Sequence, residues 1–128
     1  MEQLLLSTRP FEYIAFIIIR LNIQAGPAYL FAAIDAQTGY AFNIGLTQEL
    51  SDTIILQKVY ELTELPEFTE SIQDKPFTLV FENNAHLFES IQNIIQYHQG
   101  TPLLNKTYNH FISNPFVDDM QKRLGGRK

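Results

Sequence analysis

The chain has 128 residues, enough for one domain with a core of its own. Hydrophobic residues make up 45% and charged residues 18%, which excludes a disordered or low-complexity chain. With no cysteine, disulfides, thiol nucleophiles, zinc–thiolate sites and iron–sulfur clusters are excluded as well. Nine basic against 14 acidic residues give a net charge of −5, the wrong sign for a general electrostatic binder of nucleic acid.

The elements are predicted in chain order as follows. Residues 1–10 form a short lead-in stopped by Pro10. Phe11 to Ile23 is rich in Ile, Phe and Tyr and reads as a strand. Gln24-Ala25-Gly26-Pro27 is a turn, Ala28 to Asp35 a second strand, Ala36-Gln37-Thr38-Gly39 a second turn, and Tyr40 to Leu46 a third strand. Two tight connections in succession make an antiparallel meander. Ser51 or Asp52 caps a helix that runs to about Leu65, with Ile55, Val59 and Leu62 at helical spacing and Pro66 as its stop. Glu67 to Pro76 reads as a polar loop. Phe77 to Phe81 is a short, continuously apolar run, the pattern of a strand buried on both faces of a parallel sheet. Asn83 or Asn84 caps a helix over about Ala85 to Tyr97, closed by Gly100. Thr101 to Leu104 is an edge strand that tolerates Pro102. Asn114-Pro115 opens a last helix that runs to about Leu124, ahead of a basic tail at 125–128.

The order βββαβαβα gives an α/β domain over residues 11–124. Its mixed five-stranded sheet has three antiparallel strands, then two parallel ones, with helices packed on it. Few folds have this order, and the ribonuclease H-like fold is the best known of them.

Three stretches carry a resemblance to a family. The first is the hairpin Tyr29 to Tyr40, which ends in Thr38-Gly39-Tyr40. The second is Phe81-Glu82-Asn83-Asn84 after the apolar strand. The third is Asn114 to Leu124, with Val117-Asp118 early in a helix that carries Lys122 and Arg123. The chain resembles the catalytic core of retroviral integrases and related transposases. In that family three carboxylates, Asp, Asp and Glu, hold two divalent metals for attack on a DNA phosphodiester. Hard cations need such oxygen ligands, and two of them stabilise both the entering and the leaving oxygen.

The resemblance places Glu82 where the family has its second Asp, and Asp118 where it has its Glu, with 35 residues between them. The spacing alone says little, because 14 acids in 128 residues produce about one such pair by chance. The first Asp has no counterpart. Arg20 fits its place best, with Asn22 on the Thr that follows in the family; the hairpin length allows a shift of one or two residues, and Asn22 itself is the other candidate. No register puts a carboxylate there, since the strand's one acid is Glu12. A guanidinium in the site would repel Mg²⁺ or pair with Glu82 or Asp118. Asp35 lies toward the wrong end of the sheet to substitute.

The resemblance therefore implies an integrase-core-like domain with a degraded triad and no strand-transfer activity. No cofactor is expected, Mg²⁺ or Mn²⁺ entering only if the altered site still binds metal. Three roles remain open: a protein-interaction or dimerisation scaffold, an enzyme with altered metal chemistry, and a nucleic-acid-binding module. The expected partner is a second copy of the chain. DNA is the alternative partner, through Lys122, Arg123, Arg127 and Lys128, although a solvated tail is the ordinary role of such a cluster. Ordinary roles also exist for the acids, because carboxylates at a helix N-terminus are favoured by its dipole.

The remaining groups suggest no chemistry. His86, His98 and His110 lack ligand spacing; His86 and His98 fall on a similar face of one predicted helix, more than three turns apart. There is no strand-turn-helix nucleophile elbow and no glycine-rich phosphate loop. The longest apolar run, Tyr13 to Ile19, is too short to cross a bilayer, and no basic region precedes an apolar stretch at the N-terminus. A soluble, cytoplasmic protein is the expectation.

Overall fold

A computed structural model describes residues 9–82 and 84–104. Strand β1 (Tyr13–Ile23) turns at Gln24-Ala25 into β2 (Gly26–Asp35), and a second turn leads to β3 (Ala41–Thr47). Helix α1 (Asp52–Glu64) and a short α2 (Pro66–Ile72) precede β4 (Phe77–Phe81). Then come a 3₁₀ turn (Ala85–Leu87), helix α3 (Phe88–Ile95), a second 3₁₀ turn (Gln96–His98) and β5 (Gly100–Leu104). The sheet order is β3-β2-β1-β4-β5. β1 pairs antiparallel with β2 and parallel with β4, and β4 pairs parallel with β5. This is the mixed sheet, three antiparallel strands then two parallel, that the element order implies. The last predicted helix and the basic tail lie outside the described residues.

Strand alternation decides what each face of the sheet does. Ile14 and Phe16 of β1, Phe31 and Ala33 of β2, Phe42 of β3, and Phe77, Leu79 and Phe81 of β4 form one buried cluster. Ile55, Val59 and Leu62 of α1, Phe68 and Ile72 of α2, and Ile91 and Ile95 of α3 pack against them. Burial of one such side chain stabilises by about 1.5–3 kcal/mol, so this layer holds the described helices on the sheet. The other face shows Ala15 and Val80, with Tyr13, Ile17, Ala36 and Leu103 against them.

Three expectations need correction. The stretch after Pro66 is not a polar loop. Proline takes the first position of α2, where its missing N–H costs no hydrogen bond. Phe68 and Ile72, four apart, then face the core together. Phe68 meets Phe42 at 5.2 Å and Phe77 at 5.4 Å, both edge-to-face, so one aromatic ring couples β3 to β4. The predicted helix over Ala85 to Tyr97 is also shorter than expected. Its ends are 3₁₀ turns, and Asn84 enters with a left-handed backbone (φ 67°) and no side-chain cap.

Gly100 does not close that helix either. Gln99 takes the left-handed closing position, and Gly100 begins β5. Its glycine has a packing reason. A Cβ there would stand 2.5 Å from the Phe77 ring and 3.0 Å from Ile95.

Candidate functional site

In open sheets with crossover helices, ligands sit outside the carboxyl ends of the strands where the winding direction changes. Here that place is the carboxyl end of β4 beside β1. A cleft opens there, lined by Phe16, Ile17 and Ile18 of β1, Ile55 of α1, Phe81, Glu82 and Asn84 after β4, and Ile91 of α3. Its cavity volume is about 80 Å³. The parallel ladder pairs Tyr13 with Thr78, Ile14 with Leu79 and Ala15 with Val80. Two further steps bring Ile17 level with Glu82.

Glu82 is therefore at the strand end, lines the cleft and is half-buried. Arg20 is elsewhere. It pairs with Tyr29 across the hairpin, its side chain is exposed, and it does not line the cleft. It stands three residues past Ile17, about 10 Å along the strand. Asn22 is two residues farther and also exposed. Asp118, Lys122, Arg123, Arg127 and Lys128 lie outside the described residues.

Ile17 was not singled out by sequence reasoning. The offset from Arg20 is three residues, more than the one or two that the hairpin length allows. The parallel register of β1 on β4 sets it, and residues 24–76 separate the two strands, so the register has no local signature. The β1 residues that line the cleft, Phe16, Ile17 and Ile18, are all apolar, so no carboxylate of this strand lines it with Glu82.

Asp35 is fully buried and has a structural task. One carboxylate oxygen accepts from the Phe11 amide at 2.7 Å; the other accepts from the Thr38 amide at 2.9 Å and the Thr38 hydroxyl at 2.7 Å. The residue thus ties the β2–β3 turn to the start of β1. It stands opposite Ile14, three residues from the level of Ile17 and toward the other end of the sheet.

At the mouth of α1, Ser51 caps the helix by accepting from the Ile54 amide at 3.2 Å. Asp52 beside it contacts His86 Nε2 at 3.0 Å, so His86 joins the turn after Glu82 to the start of α1. His98 sits in the other 3₁₀ turn, so the two histidines flank α3 and do not share it. Farther along the surface, Tyr40 donates to Glu67. That hydrogen bond, with the negative charge of Glu67, pushes the Tyr40 phenol above its usual 10.0.

A divalent pair needs several convergent oxygens, since Mg²⁺ takes about six at roughly 2.0–2.1 Å. Among the described residues no three His, Asp or Glu side chains converge in that way. Glu82 is the one carboxylate among the described residues that line the cleft. The described donors do not fit a two-metal centre.

No family model and no curated protein matches the chain. Solved structures do. The chain is similar in fold to a component of the simian T-cell lymphotropic virus intasome in complex with the PP2A regulatory subunit B56 gamma, with a TM-score of 0.65 and 9% identity. That match covers 94% of this chain and 42% of the other, so the chain spans less than half the length of that relative. It is also similar to the HTLV-2 integrase catalytic core domain in complex with magnesium. The dimeric form gives a TM-score of 0.54 at 10% identity, over 90% of this chain and 68% of that one. The trimeric form gives 0.55 at 10%, over 77% and 62%. No described helix is long and apolar enough to cross a membrane. The sheet order, the crossovers and these neighbours together establish that the chain has the ribonuclease H-like fold of a retroviral integrase catalytic core.

Proposed function

We propose that this domain is an integrase-core-like module that does not carry out metal-dependent DNA strand transfer and serves as a non-catalytic scaffold. The observation that supports this reading is Ile17. It occupies the position level with Glu82, where a two-metal site needs a second oxygen ligand, and its hydrocarbon side chain offers none. The surrounding Phe16, Ile18, Ile55, Phe81 and Ile91 make the cleft apolar. A cation there would lose its hydration with Glu82 as its one carboxylate ligand among the described residues, at a cost of several kcal/mol even in a half-open site.

A second copy of this chain is the partner we propose, because the HTLV-2 core is described in dimeric and trimeric forms.

The test combines chemistry and assembly. Purified protein with Mn²⁺ should nick supercoiled plasmid no faster than buffer alone, while sedimentation velocity should report self-association. Nicking that disappears in Glu82→Ala would overturn the proposal, since it would show that the carboxylate still works with ligands from elsewhere. A protein that stays monomeric at all concentrations would remove the scaffold-by-dimerisation part.

A further inference from the structure

Strand β3 is an outer strand of the described sheet, and an unprotected edge is a template for pairing with another chain. Three features of β3 work against such pairing. The register of β2 on β3 shifts between Phe31 and Ala32, so Phe31 meets Gly45 while Ala32 meets Asn43, and Ile44 is the extra residue. Such a bulge breaks the flat repeat that a new strand would have to match. The Asn43 side chain turns back and accepts from the Gly45 amide at 3.0 Å. From α1, Lys58 runs its stem along the sheet with the side chain only 13% exposed, reaches Glu61 at 3.0 Å and approaches the Ile44 carbonyl at 3.5 Å. Gly45 has φ +126°, and a Cβ there would come within 3.2 Å of the Lys58 ammonium, so the glycine leaves the space the lysine uses. The Ile44 carbonyl and the Gly45 N–H are opposite ends of one peptide, so this mid-strand peptide is engaged at both ends by side chains of this chain and is withdrawn from a regular ladder.

We infer that Asn43, Gly45 and Lys58 form a lock that closes the β3 edge to strand addition by a second copy of this chain. Any self-association of the wild-type domain then uses other surfaces. The inference does not depend on whether the cleft binds metal.

Two variants test it. Lys58→Met keeps the buried stem and removes the ammonium; Asn43→Val removes the internal acceptor and supplies a strand-favouring side chain. Each variant and the double variant are compared with wild type by sedimentation velocity and by hydrogen exchange, with circular dichroism as the check that the sheet is intact. The expected result is concentration-dependent association of the double variant, at least tenfold tighter than wild type, with slowed exchange confined to amides of Ala41–Thr47. Lys58→Met alone should move the same way by less. A folded double variant with unchanged sedimentation and unchanged β3 exchange would overturn the inference. So would association without β3 protection, or a wild-type protein whose β3 amides become protected with rising concentration. If the double variant does not fold, the same readings on Lys58→Met decide the matter.

Discussion

Continued two steps past its last paired rung, Ala15–Val80, the parallel register of β1 on β4 sets Ile17 level with Glu82, and both line one cleft. The relationship sets an aliphatic residue, which offers no oxygen ligand, at the strand level of Glu82. It makes Ile17, not Arg20, the position to change.

Ile17→Asp should lower stability by about 1–3 kcal/mol, because it sets a carboxylate against Ala15 and Val80, at the strand level of Glu82. Millimolar Mn²⁺ should return part of that loss, since an ion bound only by the native state raises its apparent stability. Arg20→Asp, on an exposed rung outside the cleft, should change stability by less than about 0.5 kcal/mol and show no Mn²⁺ response. Neither variant should gain strand transfer, because Glu82 is one methylene longer than the Asp expected at that place from the resemblance to integrase cores. Urea titrations with and without Mn²⁺, run beside a strand-transfer assay, check all of these points.

Asp35→Ala should be among the most damaging single changes. It strips acceptors from the amides of Phe11 and Thr38 and from the Thr38 hydroxyl. With hydrogen bonds to charged groups worth about 1.5–3 kcal/mol each, and the losses less than additive, a net cost of about 2–4 kcal/mol is expected in equilibrium denaturation. Asp35→Asn, which keeps one acceptor oxygen, should cost less.

Gly100→Ala should destabilise by about 1–3 kcal/mol through overpacking. The new methyl would meet both Phe77 and Ile95, which are held by the core. Combining it with Phe77→Leu should recover part of the loss. Thermal melts of the two single variants and the double variant give the coupling.

The Tyr40 phenol should titrate above 10, and its contribution has a definite sign. A folded-state value above the unfolded one means that the folded form holds the proton more tightly. The stabilisation is therefore fully present below the unfolded value of about 10 and is lost as pH rises through the folded value. Ultraviolet titration of tyrosinate should show one high-pH component that is absent in Tyr40→Phe and shifted down in Glu67→Gln. An unshifted titration in Glu67→Gln would contradict the assigned cause.

What the sequence by itself determined was local. Alternation and turn chemistry placed β1 to β3. Helical spacing with Ser51 and Pro66 placed α1, and an unbroken apolar run placed β4. Glu82 could be placed at the end of β4 because strand end and carboxylate are neighbours in the chain. α2 escaped notice because seven residues with two apolar positions, Phe68 and Ile72, carry little periodicity; packing against Phe42 and Phe77 makes it a helix.

Tertiary structure alone decided which residue of β1 faces Glu82. A hairpin fixes its own register through a short turn, so β1 and β2 align from local information. β1 and β4 are joined through two strands and two helices, and their alignment comes from the packing of α1, α2 and α3 on the sheet. A slip of three residues along β1 is invisible in the sequence, yet it separates an exposed arginine from an isoleucine in the cleft.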